Sequence, residues 1–462
     1  MLKTSLPMIL GASLTLAFAG CRARPNQTLV RDRAAALFGP NRTENLLATA
    51  DAGDAPSKPP SDEQLFERSD LGLYLRYGMH HNASLRSEYE RWRAMLERVP
   101  QVTSLPDPVF SFGQFIESVE TRTGPQERRY SLSQTFPWIG KLDLRGDVAA
   151  ADARERWQRV VAVRLGVERE IQVAYFDYAY LSQSIRITNE VLQLLKQLEP
   201  VVQQRIVGAN GGQQDLLRLQ VEVGRIENDL ASLQQVRASL SARLAAAMNL
   251  RRHAPLPLPD LIEPTLEALG TDTTELLRRA EQRNPDLREL TERISKNQNR
   301  KELAELSRWP DVTVGVDYIE TGSALQPTRG NGDDPLAVRV MFNLPIWGQK
   351  YSAAEREAQH LVSAATHALS NRRATLRTDV EHAAFQLGDA DRQLLLYRET
   401  LVPRAREALE VTRSSYRTGR SALLDLIDSE RTLLNFETGY WRACRDHYQS
   451  KARLEALIGG QL

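Results

Sequence analysis

Two carboxylates in the last tenth of the chain are the first candidates for chemistry. Asp425 and Asp428 follow Gly419 by six and nine residues. A spacing of three puts both on one face of a helix. The chemistry open to them is electrostatic, and taken alone they read as solvated acids near a helix start, where the helix dipole favours negative charge. Asp215 occupies the matching place in an earlier segment. The remaining reactive side chains form no constellation. His80 and His81 are adjacent instead of a helical turn apart, His447 falls on an apolar seam as a packed residue, and the six methionines are dispersed. No serine sits on a sharp nucleophile turn, and no Walker or dinucleotide glycine pattern appears. The sequence predicts no enzyme, no cofactor and no resident metal.

Bulk charge narrows the partners. Lys plus Arg number 60 against 59 Asp plus Glu in 462 residues, a net charge of +1, so no nucleic-acid partner is implied. The N-terminus reads as an export signal. Lys3 supplies a positive start, Leu6 to Phe18 is apolar but too short to span, and small residues precede Cys21. Leu16-Ala-Phe-Ala-Gly-Cys21 resembles a bacterial lipobox, which predicts a signal over 1–20 and acylation of Cys21. The alternative is an ordinary secretory signal with a coincidental cysteine. Cys444, the other cysteine, lies in a helical pattern as a small packing residue. Beyond the signal no apolar run reaches the ~18–20 residues of a spanning helix. A membrane role must come from strands or from lipid.

These residues must be positioned by elements, and the elements are written twice. Asn82 and Asn284, Leu85 and Leu287, Pro108 and Pro310, Gly113 and Gly315 recur at an offset of 202. After a slip, Phe136-Pro137-Trp138-Ile139-Gly140-Lys141 answers Leu344-Pro345-Ile346-Trp347-Gly348-Gln349. Residues 21–62 read as a tethered linker, 63–260 as a first repeat and 261–462 as a second. Each repeat predicts a helix, a strand pair, a very long helix, a glycine turn and a returning helix.

A helix is expected from about Ser61 to Val99, capped by Ser61-Asp-Glu. Four segments then alternate apolar and polar residues: 109–115, 130–136, 312–318 and 338–344. Such strands suit lipid on one side and water on the other, or hairpins packed on a soluble core. Polar loops are expected near Glu117–Arg128 and Ile319–Pro335. Lys141 to Val207 and Gln349 to Thr418 read as rods of roughly 100 Å, bent at Pro200 and Pro403. Leu426, Leu433, Tyr440, His447 and Leu454 fall seven apart, the period of helices coiled around one another. Trp138, Trp309 and Trp347 mark strand–helix junctions, as an interfacial belt or as corner packing.

A strand pair ending in Pro-x-x-Gly, a long helix, a glycine turn, Asp-Leu-Leu, and duplication of the whole resemble the TolC-like outer-membrane efflux proteins. The best local motif is Tyr416-Arg-Thr-Gly419…Asp425-Leu-Ile-Asp428. The segment Ser133–Lys141 looks like the branch serving heavy-metal export pumps of the RND type. The resemblance implies a mainly α fold with a small β part. Duplicated long helical hairpins form a periplasmic tunnel, and four strands per protomer complete a 12-stranded barrel in a homotrimer. Open sheet edges are forbidden in lipid, so three copies would close the ring.

It further implies an outer-membrane conduit for small solutes, lipid-anchored at Cys21 and joined to an inner-membrane transporter through a periplasmic adaptor. Arg205, Gly208, Tyr416 and Gly419 would form the adaptor-contact tips. Asp425 and Asp428, with Asp215 as first-copy counterpart, would form the gate, where threefold symmetry gathers cation-attracting carboxylates. Ser421 stands where some relatives place a pairing arginine, which leaves the latch partner open. The alternatives are a channel for protein secretion and a non-pore coiled-coil scaffold or adaptor lipoprotein.

Overall fold

The computed structural model describes residues 61–207, 212–251, 255–265, 272–325 and 329–462. After one helical turn at Gln64–Glu67 come α1 (Leu71–His81), α2 (Ala83–Thr103), β1 (Val109–Thr121), β2 (Gly124–Phe136), α3 (Lys141–Val207) and α4 (Gln213–Ala247). The order then repeats as α5 (Thr273–Arg283), α6 (Pro285–Leu306), β3 (Val312–Thr321), β4 (Leu336–Phe342), α7 (Gly348–Leu396), α8 (Val402–Arg417) and α9 (Leu423–Ile458).

The repeated asparagines are helix caps. Asn82 Oδ1 accepts from Leu85 N at 3.1 Å, and its Nδ2 donates to Ala247 O at the end of α4, 3.2 Å away. Asn284 Oδ1 accepts from Asp286 N and Leu287 N, and its Nδ2 donates to Leu457 O at the end of α9, at 2.9 Å. One side chain thus opens a helix and ties it to the closing helix of the same copy. These caps divide the helix expected from Ser61 to Val99. Asp70 caps α1 through Leu73 N at 2.9 Å, and Asn82 then starts α2, which runs on to Thr103.

α3 is one helix of 67 residues that carries Pro200 inside it, about 100 Å long at 1.5 Å per residue. Its second-copy counterpart is interrupted. A π-helical segment, Tyr397–Leu401, separates α7 from α8, and Pro403 lies in the first turn of α8. Proline lacks the N–H that would continue the ladder, and a π turn absorbs the misfit. Tyr397 of this segment lies on Gly439 of α9, where a Cβ would come within 2.7 Å of its ring.

The strands form one antiparallel sheet in the order β1-β2-β3-β4. The first hairpin is longer than its polar composition suggests. Where a loop is expected over Glu117–Arg128, β1 reaches Thr121 and β2 starts at Gly124, which has φ +130°. An irregular register between Gln114 and Val119 absorbs the mismatch. Three apolar clusters make the core, and all of them lie among helices and their adjoining loops. The largest joins α1, α3, α4 and the chain near Leu256–Leu261 to α7 and α9. The second packs both helical hairpins at their tips, and the third joins α5, α6, α7 and α9. Among the described residues, no strand residue belongs to any of them.

Candidate functional site

The C-terminal parts of α3 and α8 pack with the starts of α4 and α9 at one end of the helical body. α8 ends in a Schellman-type closure, with Arg420 N donating to Ser415 O at 2.8 Å and Gly419 at φ +76°, a conformation that favours glycine. Leu195, Leu198 and Val202 of α3 pack here with Leu219 and Ile226 of α4 and with Leu409, Leu423 and Leu426. Arg205 ties the end of α3 to the end of α8. Its guanidinium donates to Tyr416 O at 2.9 Å and stacks over the Tyr416 ring at 4.6 Å, and its outer nitrogen lies 3.5 Å from where a Gly419 Cβ would stand. Tyr416 is only 3% exposed. Three of the four predicted tip residues are therefore brought together, with Tyr416 as the internal member. Gly208 lies outside the described residues, as does Cys21.

Asp425 and Asp428 project from the exposed side of α9, while Leu423, Leu426, Ile427 and Glu430 are buried. Asp425 Oδ2 also accepts from Ala422 N at 3.0 Å, so it closes the helix start. Asp215 is half-buried and stands near Tyr416. Burial pushes the Tyr416 phenol up, Arg205 opposes this, and the Asp215 charge adds to it.

Sequence reasoning missed the ionic centre of this end. Glu222 of α4, 3% exposed, accepts from Arg431 of α9 through both oxygens, at 3.0 and 2.5 Å, and from Arg225 at 2.6 Å. Burial alone would raise its pKa, but the two guanidiniums outweigh burial and hold it down at about 2. Arg431 also approaches Asp428 at 3.7 Å. Arg431 thus stands beside Asp428 ten residues beyond Ser421, whose hydroxyl donates to Thr412 O at 3.3 Å. A second acid, Glu430, is also 3% exposed and lacks a hydrogen-bond partner at Oε1. Burial raises its pKa to about 7, against the pull of Arg413. The available signal was an acid inside an apolar column, Glu222 between Leu219 and Ile226, and Glu430 between Ile427 and Leu434.

The sheet has two chemically different faces. Facing one way are Phe110, Phe112, Tyr130, Leu132, Phe136, Val314, Val316, Val338, Val340 and Phe342, cross-strand neighbours in register. Most of these apolar side chains are exposed on the protomer. The other face carries Ser111, Ser131, Thr135, Thr313 and Asp317. Ser111 bonds Ser131 at 2.8 Å, and Thr135 bonds Thr313 at 2.9 Å. Asp317, 5% exposed, accepts from Arg129 at 3.1 Å and from Arg339. β1 and β4 are the unpaired edges.

At the strand–helix junction Trp138 stacks on Trp309 with ring centres 4.9 Å apart, while Trp347 is exposed. Lys141 Nζ donates to Asp311 at 2.8 Å and to Trp309 O at 2.7 Å. His447 is buried in its seam against Asp391. Cys444 is buried, and burial pushes its thiol up to about 12. No described helix is long and apolar enough to cross a membrane.

Comparison with known proteins agrees with this geometry. Residues 276–460 match the family described as outer membrane efflux protein. The cobalt-zinc-cadmium resistance protein CzcC of Cupriavidus metallidurans is 23% identical over 323 residues, which cover 67% of this chain and 72% of CzcC. Toxin and drug export protein A of Aggregatibacter actinomycetemcomitans is 20% identical over 352 residues, 74% of each chain. The solved outer-membrane channel OprN superposes with a TM-score of 0.70 at 18% identity, covering 87% of this chain and 94% of OprN. Residues 276–460 thus match the outer membrane efflux protein family, and the chain has the fold of solved outer-membrane channels over nearly its whole described length.

Proposed function

We propose that three copies of this chain close into one channel that carries small solutes passively across the outer membrane and periplasm. The observation that carries this reading is the sheet. It bares an apolar face, a polar face and two unpaired edges, and a membrane tolerates that set only when the edges close into a barrel with lipid outside and water within. Residues 63–260 and 261–462 serve as the two structural repeats of each protomer. Acylation of Cys21 supplies an additional anchor.

The tips held by Arg205, Tyr416 and Gly419 dock on a periplasmic adaptor, which links the channel to an inner-membrane transporter of the RND type. Asp425 and Asp428 line the gate, and the Glu222–Arg431 pair holds the returning helices of the two copies together in the closed state. Opening separates α8 and α9 from α3 and α4. The likeness to a metal-resistance protein and the Ser133–Lys141 segment favour metal ions among the cargoes. The likeness to a toxin and drug export protein favours larger or organic ones.

The test is the oligomer mass of the detergent-solubilised protein together with planar-bilayer recording. Trimers with discrete conductance steps are expected. A water-soluble monomer without conductance overturns the reading. Pull-down of the cognate adaptor by Gly419→Trp protein tests the tips, and undiminished capture removes them from docking.

A further inference from the structure

The polar face of the sheet carries charge at one level, and that charge does not cancel. Arg129 of β2 and Arg339 of β4 converge on the single carboxylate of Asp317 on β3 between them. Asp317 is nearly enclosed, at 5% exposure, whereas Arg129 and Arg339 keep 43% and 40% of their side-chain surface open. The carboxylate is thus covered by its partners, and the guanidiniums present themselves to the space in front of the sheet.

Their neighbours on that face leave the excess positive. The register sets Gly113 opposite Arg129 and Gly315 opposite Arg339, with Ser131 beside Asp317. Ser111, Ser133, Thr135 and Thr313 continue the same face with neutral hydroxyls. Glycine and small hydroxyl residues keep much of this surface low; Ile319, paired with Arg129, and Met341 are its larger apolar members, and both guanidiniums stay open beside them. A Cβ at Gly315 would already meet Ser133 Cβ at 3.2 Å, and one at Gly113 would meet nothing. On the opposite face at this level stand Phe112, Tyr130, Val316 and Val338, and the one ion pair described there, Arg128 with Glu320 at 3.2 Å, cancels itself.

We infer that Arg129 and Arg339, held by Asp317, form a cationic girdle inside the barrel that favours anionic solutes and anionic complexes over free cations. The inference rests on the channel reading above and adds to it a charge filter separate from the tip acids. Each protomer supplies two guanidiniums against one carboxylate, so a threefold ring holds six positive and three negative charges. Charged rings of this kind set selectivity in other pores. At about 0.1 M salt their field reaches about 10 Å into the lumen. The girdle and the α9 acids have opposite sign, so a solute passing through the channel meets two filters in series. A bare divalent cation is drawn to the tip and repelled in the barrel, whereas a cation wrapped by anionic ligands passes both more evenly.

The experiment is reversal-potential measurement across a potassium chloride gradient in planar bilayers. The full-length protein is used with Asp425→Asn and Asp428→Asn as background, so that the tip acids do not set the ratio. Adding Arg129→Gln and Arg339→Gln is expected to lower the chloride-to-potassium permeability ratio at least about threefold. Adding Asp317→Asn instead is expected to raise it, because the same arginines then stand uncompensated. Shifts in opposite directions cannot come from general damage to the barrel. Conductance with an unchanged ratio in both variants, or a shift of the same sign in both, overturns the girdle and leaves the channel standing. Absence of any conductance from the unsubstituted protein overturns the channel reading and the girdle with it.

Discussion

Replacing Glu222 by Gln should loosen the tip, and the structure sets the size of the effect. The two guanidiniums bring its carboxyl from the ordinary 4.5 to about 2 despite burial. At about 1.4 kcal/mol per tenfold change in proton affinity, that is roughly 3 kcal/mol. Arg225 and Arg431 are 43% and 46% exposed, and solvent screening reduces the usable part to about 1–2 kcal/mol. Because the folded pKa is depressed, this contribution is complete above about pH 4.5 and fades as pH falls towards about 2. If the pair holds α4 to α9 in the closed state alone, Glu222→Gln should raise the open-to-closed ratio of single channels about 5- to 30-fold at neutral pH. Arg431→Met should do the same, and the double variant should add little, since both remove one interaction. Bilayer recordings of the three variants read this directly. Open probabilities equal to the unsubstituted channel in both single variants would refute the latch.

Glu430 should give the opposite pH signature. Its pKa is raised to about 7, so its contribution to stability is full below about pH 4.5 and lost as pH rises through about 7. Hydrogen-exchange protection of α8 and α9, corrected for intrinsic rates, should fall between about pH 5 and about pH 8, and Glu430→Gln should flatten that dependence. Asn284→Ala removes a cap and a tie to Leu457 O; a loss of about 1–2 kcal/mol is expected in denaturant unfolding, with a similar loss for Asn82→Ala. Gly439→Leu should expel Tyr397 from α9, visible as faster exchange across Tyr397–Leu401 and unchanged exchange in α3.

Much of this fold is legible in the sequence because the chain states its elements twice. Asn82 and Asn284 recur since each is a cap and a tie, and a residue with two duties tolerates few substitutes. Alternation in the strands is legible because one face carries apolar side chains and the other carries hydroxyls and ions. Glu117–Arg128 misleads because strands can continue past an apolar band while their side chains turn polar. The π segment is hidden because Pro403 reports a misfit without saying how the backbone absorbs it. Glu222 and Arg431 escape because their pairing spans 209 residues and joins two copies, which no local pattern records. The tip residues Arg205, Tyr416 and Gly419 are found by motif, yet only three-dimensional placement reveals that Arg205 is stacked on Tyr416.

The two copies have diverged in mechanical character. α3 is an unbroken strut, whereas its twin is articulated just before Pro403, with Tyr397 seated against Gly439 like a pin in a socket. A load applied at the tips would travel straight up the first and be taken up by flexing in the second. Duplication has thus given each protomer one stiff leg and one jointed leg.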